Sequence, residues 1–221
     1  MITVHHLNNS RSQRVLWLLE ELGVDYEIKH YQRDAKTMLA PPELKTVHPL
    51  GKSPVITDGT VTVAESGAIL QYLVDEYDAT GRLQPKSAAD RRRMTYWMHY
   101  AEGSAMPPLL MKLVFDRIET TPLPFGIKQV ARGLAAKVKD SYVLPQIVTH
   151  LDFMEAELGR SAWFAGEKFS VADIQMSFPV EAAAARAGLD GKRPKLMDYL
   201  TRIRARPAYQ RAVAKGGPFS L

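Results

Sequence analysis

A chain of 221 residues, 46% hydrophobic and 24% charged, has material for one or two globular domains of roughly 100–200 residues each. Zero Cys excludes disulfides, thiolate metal sites, iron–sulfur clusters and any cysteine nucleophile. The net charge of +5 is uneven: residues 1–80 hold 7 Lys/Arg against 11 Asp/Glu, and residues 81–221 hold 22 against 13.

No zinc-finger spacing, RNP-like aromatic run or phosphate-binding loop accompanies the basic half, so its charges are assigned to solvated helix faces and no nucleic-acid partner is expected. No apolar run approaches the roughly 18 residues of a membrane span, and the first residues lack a signal-peptide pattern. The expectation is a cytoplasmic protein.

The first half alternates strands and helices. Residues 2–7 are β-branched and alternating, which predicts a strand, and Asn8-Asn9-Ser10 follows as a turn or cap cluster. Val15, Leu18, Leu19 and Leu22 recur at helical spacing, with Gly23 as the left-handed terminator. Residues 26–31 alternate again, completing a βαβ unit. Two β-rich arms around Asp58-Gly59 predict a hairpin over 55–63, and Ala68, Ile69, Tyr72, Leu73 and Tyr77 predict the helix that closes the unit. The linker is placed at 81–88, between a domain of residues 1–80 and a helical one of 89–221.

Beyond the linker the period is helical. Met94, Trp97, Met98 and Ala101 form a stripe that Pro107-Pro108 should break or kink. A second pattern covers about 127–158, interrupted at Pro145. Ser170 and Asp173 have capping-box spacing, with Phe169 and Ile174 at the staple positions, and Pro194 and Pro207 are placed at first helical positions.

Three segments carry chemistry. The strand-to-helix junction at Asn8-Asn9-Ser10-Arg11-Ser12 offers a donor beside a helix N-terminus, where an anion such as a thiolate is favoured; simple helix capping is the alternative. In His48-Pro49-Leu50-Gly51-Lys52-Ser53-Pro54-Val55 a cis proline before a strand would turn backbone groups toward an extended peptide, with Lys52 meeting a carboxylate; an ordinary loop is the alternative. In Ala64-Glu65-Ser66-Gly67, Ser66 could hold a carboxylate at a helix N-terminus and Glu65 an ammonium, or both could serve capping alone. On one edge of a β-α-β–β-β-α sheet the three together make a site for a cysteinyl peptide with an amino-acid head group. His5 and His6 read as structural, and no residue pair has metal-ligand spacing.

With these motifs the chain resembles the cytosolic glutathione transferases over nearly its whole length, closest to fungal and bacterial members with a Ser-Arg-Ala/Ser segment after the first strand. The resemblance implies a thioredoxin-like β-α-β-α-β-β-α domain followed by an all-helical domain, acting as a homodimer that turns glutathione into a thiolate nucleophile. It implies Ser10 as the thiolate's donor, with Asn9 as the alternate, and Pro54 as a cis-proline before Val55, which would pair with the cysteinyl backbone. Lys52 would hold the glycyl carboxylate, Glu65 and Ser66 the γ-glutamyl end, and Ser53 is a further glutathione-binding residue. Glutathione is a co-substrate, and no further cofactor or metal is implied. The second substrate is a hydrophobic electrophile or hydroperoxide, placed near Tyr96, Tyr100 and Met106, with Glu102 reaching glutathione across a subunit interface. The tyrosine-type pattern is absent, since the first Tyr is Tyr26. A non-catalytic interaction module of the same fold is the alternative function.

Overall fold

The computed structural model describes residues 1–217. Strand β1 (Ile2–Leu7), helix α1 (Ser12–Leu22) and strand β2 (Tyr26–Tyr31) form the expected parallel crossover, with Ile2 opposite Tyr26 and Leu7 opposite Tyr31. β3 (Val55–Asp58) runs antiparallel to β1 and pairs with β4 (Val61–Ala64), giving the order β2-β1-β3-β4. Gly59, at φ 56, supplies the left-handed residue of the hairpin turn. Helix α2 (Ser66–Tyr77) then packs back on the sheet, and the Tyr72 and Tyr77 hydroxyls both donate to the Asp58 carboxylate at the hairpin tip.

The helix expected between β2 and β3 is only a short 3-10 turn, Pro42–Thr46. Five residues that begin with a proline, inside a segment containing Pro41 and Pro49, give too little length to nucleate an α-helix.

The connection between the two halves covers 78–87 and is tied down rather than loose. The Asp78 carboxylate accepts from the backbone N–H of Leu83 (2.8 Å) and of Arg82 (3.2 Å), and the buried Leu83 returns its carbonyl to the N–H of Val171 (2.9 Å). Helix α3 (Ala88–Tyr100) opens on Ser87, whose hydroxyl caps the Asp90 N–H. A π turn, Ala101–Ala105, joins α3 to α4 (Met106–Thr120) with helical backbone angles throughout, so in place of the expected break the helix changes its period locally just before Pro107 and Pro108. The same device recurs between α5 (Phe125–Val138) and α6 (Leu144–Arg160), where the π turn Lys139–Val143 precedes Pro145.

Helix α7 (Val171–Arg186) runs through the centre of the helical domain and starts at the predicted capping box. The Asp173 carboxylate accepts from the Ser170 N–H (2.8 Å), the Ser170 hydroxyl (3.1 Å) and the Phe164 N–H (2.9 Å). Burial, outweighing those donors, raises the Asp173 pKa to about 6. Helices α8 (Pro194–Arg204) and α9 (Pro207–Gly216) finish the described chain, each with its proline at the first position.

The two halves share one core across α1. Trp17 is buried between Phe169 and Tyr209, with ring centroids at 5.7 and 5.1 Å. Charges close the same seam: Arg206 pairs with Glu21 at 2.6 Å, and Arg211 and Lys215 both pair with Glu20. Several basic residues assigned to solvated faces are therefore interface residues.

Candidate active site at the domain cleft

Two adjoining cavities open between the sheet edge and the helical domain. The smaller, of 220 Å³, is walled by Lys52, Ser53, Pro54, Glu65, Ser66 and Glu102 among others. The larger, of 790 Å³, reaches from Asn9 and Met38 across to α4 and α7. Arg11, Lys52 and Ser53 line both, so one extended ligand could span them.

The smaller cavity sits over the end of the sheet and the start of α2. Ser66 is buried at the first turn of that helix, where unpaired N–H groups and the helix dipole favour an anion. Glu65, just before it, holds φ 72 and ψ 124, a conformation costing an L-residue on the order of 1–3 kcal/mol. The Ser53–Pro54 peptide is cis. Ser53 Oγ donates to the His5 carbonyl (2.9 Å) and accepts the Leu7 N–H (3.3 Å), which turns its side chain toward β1. Among the described residues, no hydrogen bond engages the Ser53 main chain. Val55, by contrast, is fully buried between His5 of β1 and Ala64 of β4 and lines neither cavity. At this point the cleft is lined by Ser53, two residues before Val55.

Ser10 and Asn9 separate sharply. Ser10 is 4% exposed and lines neither cavity. Its Oγ lies 2.6 Å from Ser12 Oγ, which lies 2.9 Å from His6 Nδ1, and His6 Nε2 lies 2.9 Å from the Gly216 carbonyl. A carbonyl only accepts, so Nε2 carries the ring proton. Burial, the largest influence, lowers the His6 pKa and keeps the ring neutral, against the raising effect of the Gly216 bond. Nδ1 then accepts from Ser12, and Ser12 accepts from Ser10. The network thus directs the Ser10 proton to Ser12, while Ser10 Oγ also lies 3.5 Å from Ser53 Oγ at the cavity wall. Asn9, at φ 48 in the left-handed region that asparagine tolerates, lines the larger cavity.

Glu102 lies in the wall of the smaller cavity of its own chain. Its carboxylate takes Arg11 Nε at 2.9 and 3.0 Å and Arg14 Nη2 at 2.5 Å. Burial opposes its ionisation, but Arg14 and Arg11 outweigh that and hold it below the usual carboxylate range. Arg14, 2% exposed, also donates from Nη1 to the Gln175 carbonyl at 2.6 Å. Both Glu102 oxygens are thus engaged within one chain.

Of the three residues expected beside the second substrate, only Met106 lines the larger cavity. Tyr100 is buried and bonded to His150 Nδ1 at 2.6 Å, and Tyr96 stacks on Tyr100. Tyr96 and Tyr100, one turn apart on α3, face Phe153 of α6, and Met106, six residues after Tyr100, lies on a different face. Sequence reading missed the residues that do line this wall: Arg33 before the 3-10 turn, Leu110, Leu113 and Arg117 on α4, and Phe178 and Arg186 on α7. Only Arg11 and Lys52 among the basic residues of the wall stood inside motifs already singled out. Among the described residues, no group of three or more His, Asp or Glu is arranged to hold a metal.

The chain's relatives agree with this geometry. The model for "Glutathione S-transferase, N-terminal domain" matches residues 1–75, and that for "Glutathione S-transferase, C-terminal domain" matches residues 118–207. The chain is 38% identical over 193 residues to Glutathione S-transferase 1 of Saccharomyces cerevisiae, covering 84% of this chain and 82% of that protein. It is 40% identical over 185 residues to Glutathione S-transferase 3 of Schizosaccharomyces pombe, covering 83% and 74%. A glutathione S-transferase structure from Actinobacillus pleuropneumoniae superposes with TM-score 0.78 at 33% identity, over 98% of this chain and 93% of that one. A theta-class enzyme from Xanthomonas axonopodis pv. citri, solved with glutathione bound, gives 0.73 at 26% identity over 96% of each chain. Sequence, fold and cleft converge on one assignment: this chain belongs to the glutathione S-transferase family of enzymes.

Proposed function

We propose that the chain binds glutathione across the two cavities and presents its sulfur, as a thiolate, to an electrophilic carbon or a peroxide oxygen in the larger one. The observation that carries this reading is the junction at Arg11, Lys52 and Ser53, where a peptide-sized cavity meets a larger, more apolar one beside Asn9. Glu65 takes the γ-glutamyl ammonium, Ser66 and the α2 N-terminus its carboxylate, Lys52 the glycyl carboxylate, and the Ser53 main chain the cysteinyl backbone. The thiolate's donor is Asn9, which lines the cavity, while the Ser10 hydroxyl holds the wall behind it. Lowering a thiol from a pKa of about 8.5 by two units requires about 2.7 kcal/mol in favour of the anion. One charge-receiving hydrogen bond contributes about 1.5–3 kcal/mol, and the neighbouring Arg11 and Arg33 add to it. In conjugation the sulfur's electron pair forms the C–S bond, and the leaving group departs with its own pair.

Assembly as a homodimer in the cytoplasm belongs to the same proposal. Its support is the apolar α5 surface at Phe125, Ile127, Val130 and Leu134, each 60–80% exposed, which a second copy would cover. Among the described residues, no helix is long and apolar enough to cross a membrane.

Glutathione titration followed by thiolate absorbance near neutral pH tests the site. Wild type and Ser10→Ala should both generate thiolate, while Asn9→Ala should bind glutathione and leave it protonated. Loss of thiolate in Ser10→Ala alone would return the role to Ser10. No binding in wild type would favour a non-catalytic module.

A further inference from the structure

The larger cavity holds more positive charge than glutathione accounts for. Of the cations in its wall, Arg11 is answered by Glu102, and Lys52 faces the smaller cavity as well. Arg33 is fixed by carbonyls, donating to those of Asn8, Met38 and Asn9. Two cations remain, Arg117 on α4 and Arg186 at the end of α7. Neither forms an ion pair or side-chain hydrogen bond among the described residues, and Arg186 Nε is buried with no hydrogen-bond partner. The acid in the wall, Asp116, is already held by Lys112 at 2.6 Å and Lys139 at 2.7 Å. A guanidinium in a cavity wall with no carboxylate against it can receive an anionic group from a ligand. Burial and the charge of Arg11 lower the Arg186 pKa, outweighing the raising effect of Asp116, so a nearby anion would relieve this guanidinium.

The rest of the same wall is apolar. Met106, Leu110, Leu113 and Phe178 line this cavity together with the two arginines, and Leu110 is 51% exposed. A ligand filling this space meets both hydrocarbon and these two cations.

We propose that the larger cavity selects an electrophile with an apolar body and a terminal carboxylate, the carboxylate being held by Arg186 and Arg117. This rests on the glutathione reading above and names the substrate class for the same cleft. Bidentate guanidinium–carboxylate geometry suits the pair, and a lysine would supply charge without the fork.

The test uses S-alkylglutathiones of short, medium and long chain, each with either a methyl or a carboxylate terminus, titrated calorimetrically into the full chain. Both members of each pair carry glutathione's own charges, so their affinity ratio isolates the terminal group. In an apolar pocket without cations the methyl form wins at every length, because a carboxylate loses its hydration. The expected result is a carboxylate advantage of about tenfold at the best length. It should shrink to about twofold in Arg186→Gln or Arg117→Gln, persist in Arg186→Lys and decline with salt. Equal or weaker binding of the carboxylate form at every length overturns the inference while leaving the glutathione site standing. So does an advantage that survives both glutamine variants and high salt. Failure of every conjugate to bind overturns the glutathione reading and this inference with it. Should a glutamine variant not fold, the salt dependence of the wild-type ratio gives the same decision.

Discussion

Pro179 lies buried in the middle of α7 and has no N–H, so the Gln175 carbonyl four residues earlier lacks its helical donor. Arg14 Nη1 supplies the missing bond at 2.6 Å from the other domain. Arg14→Met therefore removes one charge-assisted hydrogen bond and orphans a buried carbonyl, an effect of about 1–3 kcal/mol. Its other partner suffers less: Glu102, 32% exposed, keeps Arg11 and water. Removing a buried guanidinium whose Nε has no acceptor also relieves some desolvation. The net expectation is a loss of about 2 kcal/mol. In a Pro179→Ala background the backbone N–H restored at that position can serve the Gln175 carbonyl, so the same Arg14→Met change should cost about 1 kcal/mol less. Urea unfolding of the four proteins, followed by far-UV circular dichroism and tryptophan fluorescence, gives the cycle directly. Additivity of the two substitutions to within about 0.5 kcal/mol would refute the account, because the coupling runs through that one carbonyl.

Glu102→Ala should cost about 3–5 kcal/mol, since it strands the buried Arg14 cation, whereas Arg11→Ala at the same carboxylate should cost under about 1 kcal/mol; equal losses in chemical denaturation would contradict this. Glu65→Gly should raise stability by about 1 kcal/mol through relief of its positive φ, and should weaken glutathione binding; melting and titration on one sample check both. Asp173 has a folded pKa of about 6, above the ordinary value of 3.8, so the folded state binds the extra proton between those two values. Its contribution is then fully present below pH 3.8 and lost as pH rises through about 6; relative to Asp173→Asn, wild type should gain up to about 3 kcal/mol between pH 7 and pH 4. A pH-independent difference between the two would count against it.

Features fixed by neighbours in the chain were legible before the structure. The β1–α1–β2 crossover, the Gly59 turn, the Ser170–Asp173 box and the helix-opening prolines all depend on residues a few positions apart. Contacts across the chain were not. Arg14 looks like one more basic residue in an amphipathic stripe, because its acceptor lies 161 residues away. Tyr96 and Tyr100 share one helix face, but that this face packs on Phe153 and not on the cleft depends on α6, more than 40 residues further along the chain. Which of Ser10 and Asn9 lines the cleft was equally closed to sequence, since it depends on contacts of this turn with His6 and, through it, Gly216.

That last dependence joins the end of α9 to the active site. At Gly216 a Cβ would come within 2.6 Å of Gln13 Oε1, 2.8 Å of Leu16 Cδ1 and 3.3 Å of His6 Cε1, so the absence of a side chain lets α9 close against α1 and β1. The Gly216 carbonyl then fixes the His6 tautomer, His6 orients Ser12, and Ser12 orients Ser10. Ser10 Oγ in turn accepts the Ser12 N–H at 3.2 Å, pinning the first turn of α1. On the other side of the junction, Arg33 donates to the Asn8 and Asn9 carbonyls and receives the Asn8 side chain on its own N–H at 2.9 Å. Asn9 is thus held in its left-handed conformation from both directions, by a loop cation in front and a hydroxyl relay behind. A serine at position 10 is as necessary under this arrangement as under direct catalysis, for a different reason: it shapes the turn that sets Asn9 in the wall of the cleft.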